Sequence, residues 1–210
     1  MKFRMSLFAA LLTGALFPVL PASSATFSPD PIILDDPIQK NLDAPVAPIE
    51  KNGYLIVPLA EFQAQARVLS ARHYEKDREA ALVPVDLALG WKRMSQDEVL
   101  SRINIRQDGR FYFWKTNAFP IPRAEIETQS TNMHLIPADG IIEESLKSVQ
   151  PGEIVVFNGY LVEVQGRDNW RWRSSLTRKD TGDGACELVY VTSFEVRGTQ
   201  QPKTHYVENK

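Results

Sequence analysis

The chain has one cysteine and three histidines, and that inventory limits its chemistry. A nucleophilic site would take Cys186 or Ser175 as the attacking group and His134 as the base. Asp86, Asp139 or Asn132 would orient the imidazole. This defines a hydrolase alternative, although no local motif singles it out. Cys186 opens an apolar stretch, where a thiol behaves as a small hydrophobe, and His134 lies in another. A structural zinc site needs about four nitrogen or sulfur ligands at close spacing. One cysteine and three scattered histidines do not supply them, so no metal and no cofactor is expected. Asp180-Thr-Gly-Asp-Gly184 has acids and glycines but lacks the alternating acids and distal glutamate of an EF-hand. It reads as a turn.

The stronger positive feature is basic and aromatic. Trp170-Arg-Trp-Arg-Ser174 alternates strictly, so the indoles share one face of a strand and the guanidiniums the other. Arg178 and Lys179 follow closely. Indoles beside guanidiniums bind sugars, nucleic-acid strands or acidic peptides through stacking and charge. Arg171, Arg173 and Arg178, with His134 and Asn132, are therefore the candidate ligand-binding residues. They point to a non-enzymatic binding or assembly module for a glycan, an acidic peptide or a protein partner.

The elements that must position these residues centre on residues 152–194. Glu153-Ile-Val-Val-Phe157 and Tyr160-Leu-Val-Glu-Val164 flank Asn158-Gly159. That pattern fits a hairpin or, preferably, one strand bent at a bulge with Gly159 in the strained position. Residues 186–194 read as a buried strand. Upstream, residues 62–68 alternate in the manner of a strand whose core face carries Phe62, Ala64, Ala66 and Val68. Residues 82–91 contain Pro84 and Asp86 and read as a buried loop with a turn of helix. A capping box at Ser95 predicts a helix over 96–102. Residues 103–107 and 110–115 flank Asp108-Gly109 as a β-hairpin. Residues 131–137 read as irregular, and Asp139 caps a helix over 140–148 with Ile142, Leu146 and Val149 inward. The expected fold is mainly β with two short helices, a small, partly open barrel for which an OB-like form is one option. An α+β sandwich is the alternative.

Lys2 and Arg4, the apolar run 6–20 and the small residues Ser23 and Ala25 form a secretory signal peptide over residues 1–25. Its apolar core is shorter than the ~20 residues of a spanning helix, and no later run could cross a membrane. A periplasmic or secreted location follows. Cleavage leaves 22 basic against 26 acidic side chains, a balance that disfavours nucleic acid as a partner. An envelope protein or a glycan fits better. Residues 26–51 are a Pro/Asp-rich linker, or a docking arm with Ile32, Ile33 and Leu34 as anchors. A single β-rich domain follows over 54–196, and 197–210 is a polar tail.

Pro84-Val-Asp-Leu-Ala-Leu-Gly-Trp91, Asn132-Met-His-Leu-Ile-Pro-Ala138, Gly159-Tyr-Leu-Val162 and Trp172-Arg-Ser-Ser-Leu-Thr-Arg178 through Gly184-Ala-Cys-Glu187 resemble segments of a family of uncharacterised exported bacterial proteins. The resemblance implies a recurring domain and carries no activity. It also implies a histidine at the place of Gln129 and a glycine at the place of Lys92. A metal site pairing that histidine with His134 is therefore not carried by this chain.

Overall fold

The computed structural model describes residues 33–177 and 186–199. The expected signal peptide, Arg178, Lys179, the turn expected at 180–184 and the residues from 200 on lie outside the described residues. In chain order the elements are β1 Ile38–Asn41, β2 Ile49–Lys51, β3 Tyr54–His73, β4 Val85–Gly90, α1 Asp97–Leu100, β5 Asn104–Asp108 and β6 Phe111–Lys115. Then come α2 Arg123–Thr128, β7 Ser130–Pro137, α3 Gly140–Ser148, β8 Glu153–Gln165, β9 Arg171–Arg173 and β10 Glu187–Thr199.

Five strands close a ring. β3 pairs with β4, β4 with β7, β7 with β10, β10 with β8, and β8 returns to β3. β7 and β10 run parallel, and the other four pairings are antiparallel. β1 and β2 add to the edge of β3, and β9 to β8. The fold is thus mainly β, a ringed and partly barrel-like sheet with three α-helices among the described residues.

Strand alternation sorts the side chains between the inside of the ring and its outer face. Ala60, Phe62, Ala64, Ala66, Leu87, Leu89, Met133, Leu135, Phe157, Leu161, Val189 and Val191 belong to one core, joined by Ile142 and Leu146 of α3. Ile56, Ile136, Val162, Val164, Leu188 and Tyr190 form a second core, against which Trp170 and Trp172 pack. α3 starts as its cap predicts, with Asp139 Oδ1 accepting from the Ile142 amide at 2.9 Å.

Several expectations need correction. Residues 153–165 are one strand, but Gly159 has no left-handed φ. A Cβ there would lie 2.0 Å from Tyr190 O, so glycine serves close strand approach rather than a bulge. The register shifts fall instead in the partner strands, between Pro58 and Ala60 and between Val191 and Ser193. Residues 85–90 and 130–137 are central ring strands, not a loop and an irregular stretch. Asp86 disguises the first because its charge is paired within the fold. The helix expected over 96–102 shrinks to α1, and Ser95 makes no cap. Its hydroxyl donates to Lys92 O and accepts from the Ile33 amide.

The stretch 26–51 is not a detached linker where it is described. Ile33 is buried in the ring core, and its carbonyl accepts from Lys92 N at 2.6 Å. Asp36 accepts from Trp91 Nε1 and Lys92 Nζ. Ile33 therefore anchors the chain to its own barrel, while Leu34 is exposed and Ile32 lies outside the described residues. β10 also runs past 196 into the expected tail.

Candidate functional site

Asp86 of β4 and His134 of β7 are register partners. Their neighbours Leu87 and Leu135 point into the ring, so both polar side chains emerge on the outer face. They are nevertheless buried, at 0% and 4% exposure, because the β5–β6 hairpin and β9 cover that face. His134 Nδ1 lies 2.9 Å from Asp86 Oδ1. Among the described residues His134 Nδ1, Asp86 Oδ2 and Gln107 Oε1 make no hydrogen bond. The imidazole packs on Trp172, with ring centres 4.8 Å apart.

Arg110 locks the hairpin onto this pair. It occupies the hairpin tip at φ +68°, beside Gly109 at φ +53°. The expected Asp108-Gly109 turn has therefore moved by one residue, to Gly109-Arg110. Arg110 Nη1 donates to Asp86 Oδ1 at 3.1 Å, while Nε and Nη2 donate to Asp77 at 3.0 and 2.7 Å. Nη2 also donates to Val83 O, and the guanidinium lies 3.7 Å from the Tyr74 ring centre. Gln107 Nε2 donates to Asn132 Oδ1, and Asn132 Nδ2 to Arg110 O. The tip gains its strained backbone because that position brings one cation to two carboxylates.

Electrostatics follow this geometry. The Arg110 hydrogen bonds hold the Asp77 carboxyl below its usual range. Burial first, then the negative charge of Asp86, pushes the Tyr74 phenol up to about 12. On the other wall, Arg173 Nη1 donates to Glu163 Oε2 at 2.6 Å, and Arg171 Nη1 reaches Oε1 at 3.4 Å. The Arg173 hydrogen bond, then that of Gln165, holds Glu163 below the usual carboxylate range. Both arginines stay more than half exposed.

These walls bound a cleft of about 470 Å³ that brings together Arg110, Phe111, His134, Trp170, Arg171, Trp172, Arg173 and Cys186. Asn132 lines a neighbouring groove of about 580 Å³, which shares Phe111 and Cys186 with the cleft. Ser175 is not on either lining. Its hydroxyl donates to Thr177 O and accepts from Thr177 N, within its own turn. Among the described residues, no cluster of three or more His, Cys, Asp and Glu could hold a metal ion, and no helix is long and apolar enough to cross a membrane. Sequence reasoning missed Arg110, Asp77 and Phe111. A hairpin tip carrying arginine was the available signal, but its target lies on other strands. Comparison with protein-family models, curated proteins and solved structures finds no match to this chain.

Proposed function

We propose that the protein is a non-enzymatic binding module of the periplasm or the secreted fraction, and that the Arg110–Trp172 cleft is its recognition face. The carrying observation is convergence. Aromatic and cationic side chains from β6, β7 and β9 meet on one cleft. The ring order supports this reading. Counting β3 as first, the strands follow first–second–third–fifth–fourth–first, with α3 between third and fourth. We read this as an OB-like barrel. Such barrels bind ligands over the second and third strands, between the loops joining first to second and fourth to fifth. Asp77 and Glu79 come from the first of those loops and Trp170–Arg173 from the second, over β4 and β7.

Of the three ligand classes, a glycan fits this cleft best. Arg171 and Arg173 share Glu163, and Arg110 is held by Asp77 and Asp86. Little net positive charge is left to draw an acidic chain. Indole and phenyl faces beside paired charged groups suit flat sugar rings with many hydroxyls. The test is a glycan array probed with the native chain and with an Arg171→Ser/Arg173→Ser/Phe111→Ser variant. Glycan binding lost in the variant supports the reading. An array with no bound glycan, or binding equal in both, refutes it.

A second reading, a hydrolase using His134 with Cys186, is favoured by one observation. Asp86 sits against His134 Nδ1 while Cys186 lines the same cleft. Iodoacetamide labelling decides it. An activated thiolate gives labelling that persists well below pH 8 and falls in His134→Gln. An ordinary thiol profile removes the reading.

A further inference from the structure

The groove beside the cleft runs along a strand edge that no other described strand takes up. β6 pairs with β5 and, among the described residues, with no other strand. The two-residue turn at Gly109-Arg110 makes Asp108 and Phe111 a hydrogen-bonded pair. The alternation then turns the N–H and C=O groups of Tyr112 and Trp114 away from β5, toward the groove. Consecutive residues from Phe111 to Thr116 line the groove, as expected of a channel that runs along a strand edge. Its opposite wall is Ser130, Thr131 and Asn132 of β7.

The side chains beside that edge are apolar and cationic. Phe111, Phe113 and Phe119 are exposed by 42%, 41% and 55%. Trp114 meets Phe119 edge-on at 6.1 Å, with Arg123 5.8 Å from the indole centre. Lys115 is exposed and makes no ion pair among the described residues. An open row of backbone donors and acceptors is a template for strand pairing, and natural edges are usually blunted by charge, proline or a bulge. This edge carries Lys115 at its end and neither of the other devices.

We propose that β6 takes up an extended peptide segment of a protein partner by strand addition. The added strand pairs with the Tyr112 and Trp114 backbone groups. Its alternate side chains lie on Phe111 and Phe113 on one face and on Trp114 and Phe119 on the other. An acidic residue of the peptide meets Lys115. A glycan cannot supply the alternating amide ladder that this edge offers, so the occupant differs from that of the cleft. The proposal stands independently of what the cleft binds.

The probe is a phage-displayed library of random heptapeptides, panned against the full chain. Enriched sequences are then synthesised with N-methyl groups on alternate amides. Binders with apolar residues at alternate positions are expected. Affinity should fall about tenfold or more when the amides facing β6 are methylated, and stay unchanged when the intervening ones are. Peptide binding should slow amide exchange at Tyr112 and Trp114. Lys115→Glu, a surface change that leaves the fold intact, should weaken acid-bearing binders. An unenriched library, binders indifferent to which amides are methylated, or binders lost in Arg171→Ser/Arg173→Ser but not in Lys115→Glu would each overturn the proposal.

Discussion

Replacing Arg110 with methionine isolates the contact on which the site depends. Methionine keeps much of the stem volume and removes the charge. Asp86 is fully buried, and the Nη1 hydrogen bond at 3.1 Å is lost while the carboxylate stays in place. Removing one partner of a buried ion pair costs about 3–5 kcal/mol, because the other charge is left uncompensated. The partly exposed arm to Asp77 adds under about 1 kcal/mol, and stacking on Tyr74 about 1 kcal/mol. These contributions overlap, so about 4 kcal/mol is expected in all. For a chain of this size that lowers Tm by roughly 8–16 °C. Urea unfolding followed by tryptophan fluorescence measures it. Arg110→Met/Asp86→Leu removes both charges and should recover more than half of the loss. A single variant that costs under about 1 kcal/mol would refute the reasoning. So would a double variant as unstable as the single.

The raised phenols make stability fall at high pH. Tyr74 and Tyr112 are each pushed up to about 12 from the ordinary phenol value of 10.0, chiefly by burial. Between those values the folded state keeps protons that the unfolded state has lost, so stability is intact below pH 10 and declines toward pH 12. Tyr74→Phe and Tyr112→Phe should each flatten that decline in alkaline denaturation curves. At the acid end, Asp168 is held at about 2, first by its hydrogen bonds to Arg78 at 2.7 Å. Its contribution is present above about 3.8, is lost as pH falls toward 2, and, being exposed, should shrink with added salt. An NMR titration of the carboxyl carbon that stays near 3.8 would contradict the bidentate pair. Gly159→Ala forces a Cβ to within 2.0 Å of Tyr190 O and should cost about 1–3 kcal/mol in urea unfolding. A neutral result would mean that β8 and β10 separate freely there.

What could be read from the sequence was whatever depends on near neighbours. The Asp139 cap, the α3 stripe of Ile142 and Leu146, the inward face of Phe62, Ala64 and Ala66, and a mainly β ring all follow from local pattern. Long-range pairing was hidden. Asp86 and His134 look foreign to buried strands until Arg110 and Trp172 cover them, and those partners are far away in sequence. Lys92 holds a left-handed φ of +49°, a backbone conformation that usually falls to glycine. The hairpin was visible, but not its one-residue turn shift, because the tertiary contacts of Arg110 decide which residue sits at the tip. Arg171 and Arg173 were expected on an outer rim. Glu163, on the strand next to theirs, offsets the charge that alternation alone assigns to that rim.

The closed ring also sets an order of events for the growing chain. β3 is the earliest ring strand, yet one of its edges waits for β8, which aligns Leu55 with Gln165. The gap between β7 and β8 is filled by β10, the last element among the described residues. Until that strand arrives, one edge of β7 and one edge of the valine-rich β8 stand open to other chains. A truncation before Glu187 should therefore give an aggregating product rather than a smaller working barrel.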